Sequence, residues 1–377
     1  MKVLFLTVSA GEGHNSICRS LTSQFEKYPD VQTKTVDLFK GRNKLRTYLV
    51  NKGYFTICRY AIHFANAVFE LTRRTDYRNK KITASSFFVN DAINFVKETI
   101  EEYKPDAVFC AHTFAGICMS KLREQKNEIA LSAKVFSIVS DFDVAPTTEC
   151  LTKIDYIFAP TPDFDGDLVK KGFSKNQIVT TGIPINEKFC KKIDKSEARH
   201  NLGIDKNMFT LLIMNGGFGF GNNAKLVKNL RKSKNNFQIL TINGKNKKQL
   251  SKLNKFKNKP NDVGLTNFGF VNNVDEIMSA SDIIITKLGG LTTSEAFSKG
   301  LPIIATKKLP FQEVENKDYL VSKNACIYLK NNNLAYKVVD SLIASPDRLA
   351  EMQKSVSALS YPTSSKTICD FIVNSVK

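Results

Sequence analysis

The sequence predicts an α/β protein built from two doubly wound parallel sheets, and three features carry that prediction. Short apolar runs rich in β-branched residues, such as Val3–Val8 and Ile283–Ile285, alternate from end to end with amphipathic stretches. The runs are apolar throughout, as strands covered by helices on both faces must be. At 377 residues the chain is too long for one ordinary core, so two domains are expected.

Strand 3–8 opens the chain, followed by a helix over 15–28 and a short strand over 32–38. A helical region spans 43–103, broken near Arg73–Lys80. Strand 106–110, helix 115–127 and strand 134–140 come next, then strand 155–159, helix 163–171 and strand 177–180. The polar stretch Glu187–Asp205 reads as a connection, which gives a first domain over 1–190 and a second over 205–360. The second set of alternating elements starts at Met208–Met214 and ends near Ile327; helices over 333–345, 347–358 and 363–376 close the chain.

Composition narrows the class. A hydrophobic content of 42% with 24% charged residues is globular. The formal charge of +19 implies an anionic partner surface. A phospholipid leaflet is favoured over nucleic acid, because no recognition module sets aromatic and basic residues at the required spacing. Eight scattered cysteines without a C-x-x-C pair argue for a reducing cytosol, against a disulfide frame or zinc cluster. The start, KVLFLTVSA, runs straight into a glycine turn and is read as the first core strand rather than a signal peptide. No segment reaches the roughly 20 apolar residues needed to span a bilayer, so any membrane contact is peripheral.

Three strand-to-glycine turns carry the chemistry. After Ile283–Ile285 the chain turns at Gly289-Gly290, and Thr292, Thr293 or Ser294 can cap a helix with Glu295 in its first turn. Free N–H groups and the helix dipole make such a place an anion site. Glu295 cannot help to bind phosphate, but it can accept hydrogen bonds from a ribose diol. That combination asks for a nucleotide diphosphate with a sugar at each end. Asn215 to Gly221 repeats the strand-to-glycine logic, and Gly216, Gly217 and Gly219 offer amides to a diphosphate. The N-terminal turn, Ser9 to Asn15, puts Gly13 and His14 at a strand's carboxyl end, where open α/β sheets bind ligands. His14 is suited to take a proton near neutral pH, with Glu12 as the alternative acid–base group. His112 follows strand 106–110 and is either a second cleft residue or a structural histidine. Asp141-Phe142-Asp143 is a weak metal signal, and no metal is expected.

Two basic stretches differ in reading. Between Lys40 and Lys81 cations are interleaved with Tyr48, Tyr54, Phe55, Tyr60, Phe64 and Phe69. This mix suits an amphipathic helix in the headgroup region, with Arg59, Arg73 and Arg74 on lipid phosphate and Phe64 and Phe69 inserted. The alternative is that the rings pack on the first sheet. The lysines of Lys225–Lys259 fall between apolar positions of helices and read as a solvated face.

The motifs LTVSAGEGHNS, GIPI (Gly182–Ile185), GFVNNVDEIMSASD (Gly269–Asp282), GG-x-T-x-SE-A, GLP and P-x-QE-x-x-N occur in that order. In order and spacing they resemble family 28 glycosyltransferases, above all the monogalactosyldiacylglycerol synthases and processive diacylglycerol glucosyltransferases. The likeness spans nearly the whole chain and is weakest over residues 40–130. It implies the GT-B architecture, two Rossmann-like domains facing across a cleft, with helix 363–377 crossing back to the first. It further implies an inverting transfer of hexose from UDP-glucose or UDP-galactose to a lipid hydroxyl, diacylglycerol first among acceptors. No cofactor or metal is implied, and the location is the cytoplasmic face of the membrane. In this pattern His14 is the general base and Asp141 lines the acceptor side. Glu295 holds the ribose, Gln312 and Glu313 the hexose hydroxyls, and Asn316 completes the donor motif. The chain departs from its relatives after Asp141-Phe142. They carry a histidine and a bulky aromatic there; this chain has Val144-Ala145-Pro146-Thr147-Thr148 and no tryptophan. The alternatives are a transferase with another lipid-linked or small-molecule acceptor, a sugar epimerase, and a non-catalytic sugar-nucleotide sensor on anionic membranes.

Overall fold

Strands that are apolar along their whole length need helices on both faces, and the chain supplies them by alternation. The structure, a computed structural model, describes residues 1–9, 12–39, 86–151, 153–217, 219, 221–256, 264–306 and 313–376, with the backbone alone at 86–88. Its contacts divide the chain into two units, Met1–Glu187 with Tyr361–Lys377, and Lys188–Leu309 with Glu313–Ser360.

The first unit runs β1 (Lys2–Thr7), α1 (Gly13–Phe25), β2 (Gln32–Asp37), α2 (Ser86–Tyr103), β3 (Ala107–Cys110), α3 (Thr113–Glu124), α4 (Glu128–Ser132), β4 (Lys134–Ile138), β5 (Tyr156–Ala159), α5 (Asp165–Lys170) and β6 (Ile178–Thr180). Its strands form one parallel sheet in the order β2-β1-β3-β4-β5-β6. Phe5, Phe109, Phe136 and Phe158 are fully buried. The Phe136 and Phe158 rings lie 5.9 Å apart and nearly parallel.

The second unit runs α6 (Lys195–Asn201), β7 (Thr210–Met214), α7 (Asn223–Leu230), β8 (Gln238–Ile242), α8 (Lys247–Asn254), β9 (Leu265–Phe268), α9 (Val274–Ser279), β10 (Ile283–Thr286), α10 (Gly290–Ser298), β11 (Ile303–Ala305), α11 (Glu313–Ser322), β12 (Cys326–Tyr328), α12 (Ala335–Ile343) and α13 (Pro346–Ala358). Its parallel sheet has the order β12-β11-β10-β7-β8-β9. Leu211, Ile213, Ile239, Ile283, Ile285 and Ile304 from its inner strands share one core with Val227, Leu230 and Val339.

The last helix, α14 (Ser364–Val376), belongs to the first unit. It packs on α1, and Tyr28 Oη donates to Asp370 at 2.5 Å. Phe371 stands edge-on to Tyr156 at 4.9 Å. Its entry is fixed at Gly182, where only glycine fits: φ is +79, and a Cβ would meet Tyr361 at 2.2 Å.

Both sheets have a switch point, the place where strand order reverses and two loops diverge. In the first sheet it lies between β1 and β3, and in the second between β7 and β10. The turns bearing His14 and His112, and those bearing Gly216–Gly221 and Gly289, follow these four strands. The site candidates therefore gather where this topology leaves room for a ligand.

Some expectations shift. The strand expected over 134–140 ends at Ile138, and a 3-10 turn, Pro162–Phe164, precedes the short α5. Unforeseen elements include α4, a 3-10 turn over Pro146–Cys150 that starts on a proline, and α6 within the stretch Glu187–Asp205 expected as a connection. The region 40–85 lies outside the described residues, and with it Arg59, Phe64, Phe69, Arg73 and Arg74. Among the described residues, no helix is long and apolar enough to cross a membrane. The seven described cysteines are free, and burial pushes the thiols of Cys18 and Cys118 up to about 12, so they pack as small hydrophobes.

Candidate active site

In the first unit, β1 delivers the chain to a turn fastened at several points. Asp37, at the end of β2, accepts from Ser9 N at 3.2 Å, from Ser9 Oγ and from Phe39 N at 3.0 Å. Asn15 accepts from Thr7 Oγ1 at 3.0 Å and donates to Ser9 Oγ at 3.1 Å. His14 follows on the first turn of α1, partly buried. Its Nδ1 lies 2.8 Å from the carbonyl oxygen of Ala111, at the end of β3. A carbonyl only accepts, so Nδ1 carries the proton and Nε2 holds a free lone pair.

His112 caps α3, its Nδ1 accepting from Phe114 N at 3.0 Å. That nitrogen is therefore unprotonated, and the neutral ring carries its proton on Nε2. The two rings meet edge-on with centroids 4.7 Å apart and have opposite tautomers. Burial pushes the His14 pKa below the usual histidine value, against the pull of the Ala111 carbonyl. Burial, reinforced by the charge His14 carries once protonated in acid, pushes His112 down to about 3. One ring is a proton acceptor and its neighbour an N–H donor, and both stay neutral at physiological pH. Gly13 is the first residue of α1, and a Cβ there would meet nothing within 4 Å. Asp141 is partly buried in the segment after β4. Glu12 is drawn aside to Arg19, 3.5 Å away.

In the second unit, the turn after β7 is shaped by Gly216, Gly219 and Gly221, at φ +71, +60 and +83. A Cβ on Gly219 would meet the Asn243 carbonyl oxygen at 2.1 Å, so this turn lies directly on the one after β8. Beneath it runs a ladder of neutral side chains. Asn215 donates to Asn223 at 2.8 Å, Asn223 to Asn243 at 3.1 Å, and Asn243 to Asn267 at 2.7 Å. Gln249 accepts from Asn223 N, and Asn246 donates to the Gly219 carbonyl oxygen at 2.9 Å. Asn215, Asn223, Asn243 and Gln249 are buried. A satisfied network of this kind holds backbone rigidly without placing a negative charge near an anion.

Beside that turn, β10 ends in Thr286-Lys287-Leu288-Gly289. Lys287 bonds the Glu313 carboxylate at the start of α11. Its Cε lies 3.3 Å from where a Gly216 Cβ would stand, and its Nζ 3.4 Å from where a Gly289 Cβ would stand. One cation thus touches both glycine turns. Asn316, wholly buried, donates to the Leu288 carbonyl oxygen at 2.7 Å and fixes the second turn. Gly290 opens α10, and Thr292 is partly buried within it. Glu295, further along α10, keeps company with Lys188 and Asp275, which are themselves paired at 3.4 Å. Burial pushes its carboxyl up to about 8; Lys188 opposes the shift and Asp275 adds to it. Near Glu295, Lys188 also reaches the Asn272 carbonyl oxygen in the turn after β9, and Phe270 in that turn is 64% exposed.

Comparison with known proteins gives this geometry its context. Residues 14–185 match the family model described as monogalactosyldiacylglycerol (MGDG) synthase, and residues 210–368 match the glycosyltransferase family 28 C-terminal domain. The chain belongs to glycosyltransferase family 28. A family relative named processive diacylglycerol beta-glucosyltransferase, from Bacillus cereus strain G9842, is 27% identical over 99% of this chain and 93% of its own length. The fold is GT-B. MurG from Acinetobacter baumannii superposes with a TM-score of 0.66 at 13% identity, covering 99% of each chain. UDP-GlcNAc 2-epimerase from Neisseria meningitidis, bound to UDP-GlcNAc, superposes with a TM-score of 0.61 at 16% identity, covering 99% of this chain and all of that one.

Of the residues expected from the sequence of this family 28 chain, the first unit brings His14 and His112 into contact. In the second, Lys287 meets Glu313 and the glycine turns at Gly216 and Gly289, Gly217 and Gly219 lie in the turn after β7, Gly290 opens α10 and Asn316 bonds Leu288, while Glu295 sits beside Lys188 and Asp275. Gln312 lies outside the described residues. Sequence reasoning passed over Lys287 and the asparagine ladder. Lys287 could have been found as the lone cation between a buried strand and a double glycine. The ladder could not, because asparagine is abundant throughout the second half.

Proposed function

We propose that this family 28 enzyme moves a hexose from UDP-hexose to the hydroxyl of diacylglycerol in one inverting displacement, at the cytoplasmic surface of a membrane. The observation that carries the reading is the division of labour at the two switch points: a neutral imidazole pair at one, and a rigid, cation-bearing pair of glycine turns at the other. The diacylglycerol acceptor is supported by the names of the relatives, and the UDP-sugar donor by the ligand of a solved neighbour.

In this reading the acceptor O–H donates to His14 Nε2, and His112 Nε2–H donates to the same oxygen, turning a lone pair toward the anomeric carbon. As the new C–O bond forms, the proton passes to His14 and the bond to UDP breaks, its electron pair leaving on the diphosphate. Charge growing there meets the amides of Gly216–Gly219, the start of α10 and Lys287. The reading needs no metal. Glu313, held by Lys287, takes hexose hydroxyls together with Gln312, and Asn316 acts through the Leu288–Gly289 turn it fixes. Glu295 accepts from the ribose diol, and the exposed ring of Phe270 offers the base a stacking surface. Asp141 lines the acceptor side.

Incubation with UDP-glucose or UDP-galactose and vesicles containing diacylglycerol tests the proposal. The expected result is release of UDP matched by a new glycolipid. UDP released without glycolipid, or neither product with either donor, would rule it out.

A further inference from the structure

Residues 206–261 contain no acidic residue, although the chain carries 36. The structure shows what this segment builds. Strands β7, β8 and β9 are laid down in one direction across the sheet, so the right-handed crossovers α7 and α8 lie on the same face and pack side by side. Each turns a buried stripe inward: the apolar Ala224, Val227 and Leu230 from α7, Leu253 with the polar Gln249 from α8. Each turns lysines outward at helical spacing. Lys225, Lys228 and Lys232 form one exposed row, and Lys248, Lys252 and Lys255 the other. Among the described residues, none of these six forms an ion pair. The nearest acid on a helix packed against α7 is Asp340 of α12, which accepts from Ser233 Oγ and from Asn235 Nδ2 at 2.8 Å.

Two rows of cations on neighbouring helices about 10 Å apart make a broad positive face. Like charges gathered on one face repel one another, and an anionic surface laid against them relieves that repulsion. We propose that the lysine face of α7 and α8 docks the second unit onto an anionic lipid surface. The proposal rests on the lipid-acceptor reading above and names a surface that the reading leaves open, one separate from the basic segment 40–81. A leaflet suits the face better than nucleic acid does. The rows stand on the exposed sides of neighbouring helices, and Phe256 after α8 is half-buried with the Arg231 guanidinium 4.6 Å from its ring rather than open to stack a base. Docking there needs headgroup charge only and no insertion, because the face exposes no large hydrophobic residue.

The test is co-sedimentation of the full chain with vesicles of phosphatidylcholine alone or mixed with phosphatidylglycerol, all without diacylglycerol. Each surface cation near an anionic leaflet is worth about a factor of five in affinity, and the attraction is screened by salt. Lys225→Gln/Lys228→Gln/Lys232→Gln and Lys248→Gln/Lys252→Gln/Lys255→Gln should therefore each weaken binding to anionic vesicles by about a hundredfold at low salt. Melting temperature and UDP affinity should stay at wild-type values. Wild-type binding by both triple variants would overturn the proposal, as would equal binding to neutral vesicles or displacement from anionic vesicles by RNA at equal phosphate. Glycolipid formation in neutral detergent micelles tests the acceptor reading separately, since it requires no docking.

Discussion

The turn after β1 and the turn after β7 have the same local grammar, a buried parallel strand running through glycines into a helix, yet they present opposite chemistry. The first is fastened by a carboxylate and hydroxyls, Asp37 gripping Ser9, and it presents the His14 imidazole, kept neutral by burial beside His112 from the turn after β3. The second is fastened by neutral amides from Asn215 to Asn267, and it presents backbone N–H groups beside the Lys287 cation that follows β10. What separates them is what lies beneath. The first turn is held by a carboxylate directly beneath it, whereas the turn after β7 is braced by neutral amides and the nearby Glu313 carboxylate is paired with Lys287. The strand–glycine–helix unit is therefore a mounting, and the residues under it decide what is mounted.

If the division holds, removing the base should stop chemistry and spare donor binding. His14→Ala should lower turnover by about 10²–10⁴-fold, with UDP affinity by calorimetry unchanged. A large loss of UDP affinity would break the comparison, because His14 would then belong to the donor machinery. The pH profile sharpens it. His14 sits below the usual histidine value, so the acidic limb of the rate should fall below that value too. Stability follows the same sign: both rings stay neutral in the folded state where the unfolded chain would be protonated. Their contribution is lost as pH drops below the ordinary histidine range, for His112 down toward about 3.

The donor side should answer in the opposite way. Glu295→Ala should weaken UDP binding by about tenfold, since leaving the ribose hydroxyls without a buried hydrogen-bond partner costs about 1–3 kcal/mol; unchanged affinity would remove Glu295 from the site. Gly219→Ala forces a side chain into φ +60 and against Asn243. The left-handed conformation alone costs about 1–2 kcal/mol, so the urea midpoint should fall and UDP binding should weaken with it. A fully stable variant with native affinity would show that the second turn is not the rigid element described. The smallest effect is expected from Glu295→Gln. With the Glu295 carboxyl raised to about 8, the unliganded fold loses stability as pH rises from the ordinary carboxylate range to that value. The amide should remove that slope in thermal melts while still weakening UDP binding.

How far these turns could be read beforehand follows from their physics. Parallel strands announce themselves as unbroken apolar runs, and glycines between strand and helix mark places where backbone must pass close to something. His14, Gly216–Gly221 and Gly289-Gly290 were legible for that reason. The contact of His14 with His112 was not, because it depends on β3 lying next to β1, a pairing between residues just over a hundred positions apart. The Lys287–Glu313 pair and the asparagine ladder are likewise products of strand order. Asn316 looked like a ligand from its motif; its complete burial and its bond to Leu288 make it a brace for the turn.

The central claim is a single displacement in which the first turn takes a proton while the second takes the leaving diphosphate. The most direct measurement is the anomeric configuration of the glycolipid formed from UDP-α-glucose and diacylglycerol, read by proton NMR on the first product to accumulate. One displacement assisted by His14 inverts the anomeric carbon, so the account predicts a β-linked hexose. An α-linked product would contradict it, since retention requires a second step that neither turn, as described, provides.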